Sequence, residues 1–346
     1  MTRYNVLVTG GSGFIASHCI IQLLAAGHTV RATIRSLDKQ ASIQSVLRDA
    51  GAARLDNLSF VATDLLEDDG WAQAMVDIDY VLHVASPVHP GHVDNENDVI
   101  RPAREGTLHV LRAARDAAVK RVVLTSAFHA VSWGHPHSDH VFTEADWTIL
   151  DGPGVDAYGK SKTIAERAAW DFVAQEGRGM ELTTILPVAV IGMVMGREIS
   201  GSNHVIQRLL NGTMPAVPNI YFPVVDAGDV ASAHIAAMDN PAAAGQRFLL
   251  SNGPAISMRD IAGILKTELG VAASRVPTHA IPNFVLRLVG MFRPEIKAIV
   301  PDLGYAKKTS NDKARRVLGW VPHSSRDAII TAARSMVSKG LAEPPA

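Results

Sequence analysis

The 346-residue sequence has a single cysteine, almost no net charge and no long hydrophobic run. Its single cysteine, Cys19, excludes an internal disulfide framework. The 33 basic and 34 acidic side chains leave a net charge of −1, without the clustered positive field that nucleic-acid binding requires. The longest apolar run, residues 185–195, is too short to cross a bilayer and contains Pro187. No signal-type segment follows Met1, so we expect a cytoplasmic protein with neither nucleic acid nor membrane as a partner.

Short apolar runs alternate with helical patterns from the start of the chain. The runs are mostly apolar rather than strictly alternating, which is typical of strands that are buried on both faces of a parallel sheet. Such strand–helix alternation predicts an α/β fold with a doubly wound parallel sheet, the Rossmann fold. The predicted strands are residues 5–9, 29–34, 58–62, 80–85, 121–125, 182–186 and 247–250, and the predicted helices are residues 14–26, 39–50, 99–118, 158–175 and 228–238.

The pattern changes after Pro187, where glycine and proline become frequent until Pro223. From Ser257 onward the sequence is typical of helices and loops. We therefore predict a dinucleotide-binding domain of residues 1–187 plus about 223–251. Residues 188–222 and 252–346 are expected to form a smaller, interleaved substrate-binding domain.

The first predicted strand leads into a glycine-rich turn, TGGSGFIA, at residues 9–16. Glycines permit a tight turn and let the backbone approach a pyrophosphate, and the small Ala16 lets the helix pack closely on the strand. The helix that follows would direct its N-terminal N–H groups and the positive end of its dipole at the phosphate. A glycine turn alone is weak evidence, but its position between a strand and a helix predicts a dinucleotide site.

Charged residues after the next two strands indicate which dinucleotide is bound. Arg35 follows the second strand, where an NAD enzyme usually has Asp or Glu for the ribose 2′-hydroxyl and where an arginine accommodates a 2′-phosphate. Lys39 adds a second positive charge within a turn, so NADP(H) is the predicted cofactor; the alternative is that Arg35 is a solvated strand end. Asp64 follows the third strand and is expected either to accept from the adenine amino group or to cap the short helix after it.

Tyr158 and Lys162 are four residues apart at the start of a predicted helix, so both side chains lie on one helical face. A free phenol has a pKa of about 10 and is a poor acid–base catalyst at neutral pH. A nearby ammonium stabilises the phenolate and lowers that pKa. The pair predicts that Tyr158 protonates a carbonyl oxygen while hydride reaches the carbon, and that Lys162 also holds the nicotinamide ribose. The alternative is an exposed helix face.

In combination these motifs resemble the extended short-chain dehydrogenase/reductase superfamily, and most of all its dihydroflavonol reductase-like branch. The resemblance implies NADPH-dependent carbonyl reduction, with Tyr158 as acid and Lys162 as its modulator. It also implies that Arg35 binds the 2′-phosphate and that Pro187 and Val188 border the nicotinamide. The matching stretches are residues 9–16, 30–35, 81–87, 121–126, 158–162 with Ala165 and Glu166 behind them, 229–231 with His234, and 311–314 leading to 318–320.

The motifs and the resemblance together predict a full set of site residues. We expect the substrate to contact Phe128, His129 and Tyr221, in an apolar cleft from residues 86–89, 128–133 and 187–222 that suits a hydrophobic or aromatic carbonyl compound. The histidines of this region, His89 and His92 among them, lack metal-ligand spacing, so no metal site is predicted. The predicted cofactor-binding residues are Thr9, Gly10, Gly13, Phe14, Ile15, Arg35, Lys39, Asp64, Leu65, Val84, Ala85, Ser86, Thr125, Tyr158, Lys162, Pro187 and Val188.

One position departs from the family pattern, in which the second serine of a Thr-Ser-Ser run polarises the substrate carbonyl. Here Ala127 stands at that position, after Thr125 and Ser126. Ser126 is the predicted third catalytic residue, although it points to the opposite face unless a bulge redirects it. The alternatives are Thr125, His129, a water molecule, or low activity.

The leading functional hypothesis is an NADPH-dependent reductase of aldehydes or ketones, a monomer or homodimer whose partner is a small molecule. A nucleotide-sugar epimerase or dehydratase, or a hydroxysteroid-type dehydrogenase, of the same superfamily is the second hypothesis. Arg35 and the apolar residues 187–222 count against the nucleotide-sugar enzymes. A non-catalytic NADP-sensing protein is the third hypothesis, and Ala127 keeps it open.

Overall fold

The structure is a computed structural model, and it describes residues 2–87, 93 and 95–342. The helices are α1 (Phe14–Ala25), α2 (Gln40–Asp49), α3 (Trp71–Ala74), α4 (Asn97–Asp116), α5 (Ala157–Glu176), α6 (Asn203–Leu210), α7 (Ala227–Asp239), α8 (Met258–Leu269), α9 (Asn283–Gly290), α10 (Pro294–Ile299), α11 (Asp312–Leu318) and α12 (Ser325–Ser338). The strands are β1 (Asn5–Val8), β2 (Thr29–Ile34), β3 (Leu58–Ala62), β4 (Tyr80–His83), β5 (Arg121–Thr125), β6 (Val141–Phe142), β7 (Glu181–Pro187), β8 (Ala189–Ile191), β9 (Tyr221–Phe222), β10 (Val224–Asp226), β11 (Arg247–Leu250), β12 (Ile256–Ser257) and β13 (Lys308–Thr309).

Within the described residues, seven strands form one sheet in the order β11-β7-β5-β4-β1-β2-β3, and every pairing in it is parallel. The predicted doubly wound Rossmann-type α/β fold is thereby confirmed. The direction of the strand order reverses between β1 and β4, and ligands of such sheets bind in the crevice at the carboxyl ends of the strands at this point. The glycine turn after β1 and the segments after β4 and β5 meet there.

The central strands of the sheet are buried along most of their length, whereas the edge strand β3 is mostly part-exposed. Residues 121–125 of β5 are all buried, as are residues 80–83 of β4. Helices cover both faces: α1 and α7 pack together on one side, and α4 and α5 pack together on the other. This double burial explains why the predicted strands lie within a residue or two of the observed ones.

A second hydrophobic cluster lies apart from the sheet and is built from α6, α8 and α12 with the segments that join them. In contrast, Ala314 of α11 and the following Trp320 pack with the core of the sheet. The division of the chain into two domains stays a prediction. In the parts of the chain that the structure covers, no helix combines the length and the apolar character needed to cross a membrane.

Candidate active site

The glycine turn joins β1 to α1 and packs against two neighbouring strands. Gly10 has a φ of +70°, a conformation that favours glycine, and a Cβ there would lie 3.0 Å from the Ala85 Cβ. A Cβ at Gly11 would lie 2.7 Å from the Ala32 Cβ. Gly13, at the N-cap of α1, is exposed, and no side chain caps the helix. The N–H groups at the start of α1 are therefore available to an anionic ligand.

Thr9 connects the glycine turn to the end of β4. Its Oγ1 accepts from the backbone N–H of Ala85 at 2.9 Å and lies 2.9 Å from Nδ1 of the buried His83. Val84, Ala85 and Ser86 follow β4 and are partly exposed at the crevice. The structure therefore brings together the predicted cofactor residues of β1 and β4.

Arg35 and Lys39, predicted to bind the 2′-phosphate, are both exposed beyond β2. Neither side chain makes a hydrogen bond or ion pair with any residue of the described chain. Asp64 uses Oδ1 to accept from the Leu66 N–H at 2.9 Å, so it closes a turn rather than capping a helix. Leu65 packs toward α4, since its carbonyl oxygen lies 2.9 Å from His109 Nδ1. Both predicted phosphate cations are thus free to bind a ligand.

Tyr158 and Lys162 project from the first turns of α5. Asp156 caps this helix by accepting from the Gly159 N–H at 2.7 Å. The Lys162 ammonium lies 5.8 Å from the centre of the Tyr158 ring. The Tyr158 hydroxyl and the Lys162 ammonium have no hydrogen-bond partner in the described parts of the chain. The two side chains therefore lie side by side, as their spacing predicted, and their polar groups are also uncommitted.

The pKa of Tyr158 differs from the sequence-based expectation. Burial, together with the nearby Asp156 carboxylate, raises the pKa of Tyr158 to about 12. This direction is opposite to the expected lowering, because burial disfavours the phenolate. The lowering expected with the positive charge of an oxidised nicotinamide beside the phenol stays a prediction. Burial also lowers the pKa of Lys162 to about 8, against the opposite effect of the Glu166 carboxylate. At neutral pH the phenol is consequently protonated and the amine is mostly charged.

Behind Lys162 lies a group of buried polar side chains around Glu166, here called the carboxylate network. Glu166 has a fully buried side chain, whose Oε1 accepts from Arg247 Nε at 2.8 Å and from Thr184 Oγ1 at 2.8 Å. Ser126 donates to Oε2 at 2.7 Å. The predicted catalytic residue Ser126 therefore donates its hydroxyl proton to Glu166 in this structure. Its catalytic role stays a prediction.

On the other side of Tyr158 lies a stack of rings, here called the aromatic column. The His129 ring meets the Tyr158 ring edge to face at 4.8 Å and stacks on Trp133 at 3.7 Å between ring centres. The Lys307 ammonium lies 3.7 Å above the Trp133 ring, and 3.4 Å from an oxygen of Asp302. The column thus joins the catalytic helix to the C-terminal part of the chain.

The other two predicted substrate residues lie in the main core and on a short strand. Phe128 is 3% exposed and packs edge to face against Trp133 and Phe142 in the main core. Tyr221 is partly exposed on β9, which pairs with β12. Pro187 ends β7, and Val188 is buried with its N–H donating to the Leu250 carbonyl. His89 and His92 lie outside the described residues.

Sequence reasoning missed two residues of the site. Nothing in the sequence around Lys307 marks it as a site residue, because a lysine in a loop is usually solvated. Arg247 could have been found from the sequence, because it begins a predicted buried strand and a buried charge requires a partner.

One group outside the crevice has side chains that could bind a metal: Asp226, Asp229 and His323. Its polar atoms serve the fold. Asp229 accepts from the His323 N–H at 2.6 Å and lies 2.7 Å from His323 Nδ1, while Asp226 caps α7 through the Gly228 N–H at 2.7 Å.

Comparison with known proteins places this geometry in a family. Residues 6–250 match the NAD dependent epimerase/dehydratase family. The ketoreductase azaE of Aspergillus niger is 32% identical over 354 residues, which cover 97% of this chain and 98% of its own. The dihydroflavonol 4-reductase of Zea mays is 32% identical over 286 residues, covering 81% and 76%. Yeast methylglyoxal/isovaleraldehyde reductase Gre2, solved with NADPH, aligns with a TM-score of 0.78 and 25% identity over 97% and 99% of the chains. The chain belongs to the NAD dependent epimerase/dehydratase family, and its predicted place among the extended short-chain dehydrogenase/reductases is confirmed.

Proposed function

We propose that this protein is an NADPH-dependent reductase that converts an aldehyde or ketone to the alcohol. The observation that carries the proposal is the uncommitted pair of Tyr158 and the buried Lys162, which lines a cavity with Ala85 and Ser86 next to the glycine turn of a Rossmann fold. The named relatives include a ketoreductase and a dihydroflavonol reductase, and Gre2 is a reductase solved with NADPH. The predicted hydrophobic or aromatic substrate class rests on the aromatic rings beside Tyr158.

The residues of the crevice fit NADPH. The uncapped start of α1 at the exposed Gly13 suits the pyrophosphate, and the free cations of Arg35 and Lys39 suit the 2′-phosphate. When bound, NADPH supplies the hydride for the carbonyl carbon. Tyr158 gives its phenolic proton to the carbonyl oxygen, and the Lys162 ammonium stabilises the phenolate that remains. The alcohol leaves, and solvent returns the proton to Tyr158.

The first test follows NADPH absorbance with a panel of aromatic aldehydes, diketones and ketoesters. We expect consumption by the parent protein and a fall of about 10²–10⁴-fold in kcat for Tyr158→Phe, because only the proton donor is lost. NADPH binding, followed by fluorescence, stays unchanged in this variant. Consumption that persists in Tyr158→Phe contradicts the mechanism. Tight NADPH binding without consumption of any carbonyl favours the NADP-sensing alternative.

The second test addresses the cofactor through Arg35→Ala. An arginine–phosphate contact is worth about 1.5–3 kcal/mol, so the KM for NADPH should rise about 10–100-fold. The KM for NADH should not change, because NADH lacks the phosphate. Arg48→Ala, an exposed arginine near the end of α2, is the matched control and should leave both constants as they were. An equal loss with both cofactors contradicts the assignment of Arg35.

A further inference from the structure

The family's carbonyl-polarising serine is replaced here by Ala127, and the structure shows whether its neighbours can take its place. Ala127 is extended, with φ −157° and ψ 158°, and its buried methyl group cannot donate a hydrogen bond. The proton of Ser126 is used by the Glu166 carboxylate, which can only accept. Neither residue supplies a free donor to a substrate.

Thr125 is committed as well, through the buried His234. His234 Nδ1 lies 2.7 Å from the Val230 carbonyl oxygen, which can only accept, so Nδ1 carries a proton. Burial lowers the pKa of His234 to about 4, so the ring is neutral and its Nε2 is an acceptor. Thr125 Oγ1, at 2.7 Å, therefore donates its proton to Nε2. The threonine hydroxyl has no proton left for a carbonyl oxygen.

Among residues 125–129, His129 is the polar residue whose ring contacts Tyr158. Its backbone is fixed, because its carbonyl oxygen accepts from Thr148 Oγ1 at 2.6 Å within the 3-10 turn Phe128–Ala130. Its ring plane is held by stacking on Trp133, with an interplanar angle of 17°. Nowhere in the described residues does either ring nitrogen find a hydrogen-bond partner. The ring is oriented by packing, and its hydrogen-bonding capacity is unused.

Burial and the charges around His129 together determine its protonation state. Burial, followed by repulsion from Lys307 and Lys162, lowers the pKa of His129 to about 3. The imidazole is therefore neutral near pH 7, with one ring N–H as donor and one bare nitrogen. A neutral imidazole in a preorganised site can polarise a carbonyl oxygen without transferring its own proton.

We propose that the His129 N–H donates a hydrogen bond to the substrate carbonyl oxygen and so performs the role of the missing serine. This inference rests on the proposed carbonyl reduction and makes His129 a catalytic residue of that reaction. Tyr158 transfers the proton, whereas His129 only stabilises the negative charge that develops on the oxygen. The column of Trp133 and Lys307 positions the ring.

The test compares His129→Phe with the parent protein. Phenylalanine keeps a flat ring on Trp133 but removes the N–H, so kcat should fall by about 10²–10³-fold while NADPH binding is unchanged. His129→Gln keeps an N–H donor and should be about tenfold faster than His129→Phe. His137→Phe makes the same exchange at an exposed histidine that stacks on Tyr305, and should leave kcat unchanged. Melting temperatures confirm that each variant is folded.

Restoring the serine distinguishes a donor from a packing role. Ala127→Ser should raise kcat about tenfold or more in the His129→Phe background and little in the parent, since the parent already has a donor. Equal gains in both backgrounds, or a His129→Phe variant as fast as the parent while Tyr158→Phe is inactive, overturn the inference alone. A parent that reduces no carbonyl compound overturns the proposed function and the inference with it.

Discussion

The carboxylate network and the aromatic column both contact α5, but they treat their polar atoms in opposite ways. In the network, Glu166 accepts from Arg247, Thr184 and Ser126, and its side chain is fully buried. In the column, His129 stacks on Trp133 and meets Tyr158 edge to face, and the N–H of His129 and the O–H of Tyr158 have no partners within the described chain. From this difference we propose a division of roles, in which the network stabilises the fold and the column presents donors to a ligand.

Each arrangement has a physical cause. A buried carboxylate is tolerated only when its lone pairs are satisfied. Glu166 of α5 accepts from Ser126 just after β5, from Thr184 of β7 and from Arg247 of β11, and so joins these elements. Aromatic stacking fixes the plane of a ring without using its polar atoms. The two regions meet at Lys162, whose pKa is lowered by burial and raised by Glu166. Substitutions in each region can therefore test the division.

The largest effect on stability is expected for Glu166→Gln, in the carboxylate network. The change leaves Arg247 buried without its charge partner, which should lower the free energy of unfolding by about 3–5 kcal/mol. Urea denaturation measures this loss. Glu96→Gln, which breaks the pair of the half-exposed Glu96 with the partly exposed Lys160, is the matched control and should cost about 1 kcal/mol or less. Unchanged stability with a large loss of kcat would show that the network belongs to the chemistry.

The second prediction concerns Lys162, where the two regions meet. Because the pKa of Lys162 is about 8, its ammonium is present below that pH and is lost above it. Reduction should therefore slow by up to about tenfold per pH unit above pH 8, while Tyr158, with a pKa of about 12, stays protonated.

Two variants assign this pH dependence. Lys162→Arg should move the fall in rate to a higher pH, since a guanidinium keeps its charge above pH 12. Lys307→Met should keep the inflection, although burial also lowers the pKa of Lys307. An inflection that disappears with Lys307→Met and persists in Lys162→Arg would assign the titration to the column instead.

Much of the fold could be predicted from the sequence because its strands are buried on both faces. The predicted strand at residues 29–34 matches β2, and the predicted helix at residues 158–175 differs from α5 by one residue at each end. The short strands β9, β12 and β13 were not predicted, because two residues are too few to carry a periodic pattern.

The site was predicted only where its chemistry is local in sequence. The four-residue spacing of Tyr158 and Lys162 fixes their common face, and the glycine turn lies between a strand and a helix. Arg247 and Lys307 reach α5 or the column from distant segments, so only tertiary packing brings them there. The direction of the pKa shift at Tyr158 depends on burial, which local spacing does not contain.

The smallest predicted effect is also the most direct test of which region contains the catalytic donor. Ser126→Ala removes one of the hydrogen bonds to Glu166, so it should lower the free energy of unfolding by about 1–2 kcal/mol and leave kcat unchanged. Thr184→Val removes the hydroxyl on the other carboxylate oxygen and should behave alike, which makes it the matched control. If Ser126→Ala instead loses most of its kcat at full stability while Thr184→Val does not, Ser126 is the catalytic serine after all. The hydroxyl would then have to turn from Glu166 toward the substrate. The carboxylate network would in that case contribute to catalysis as well as to stability.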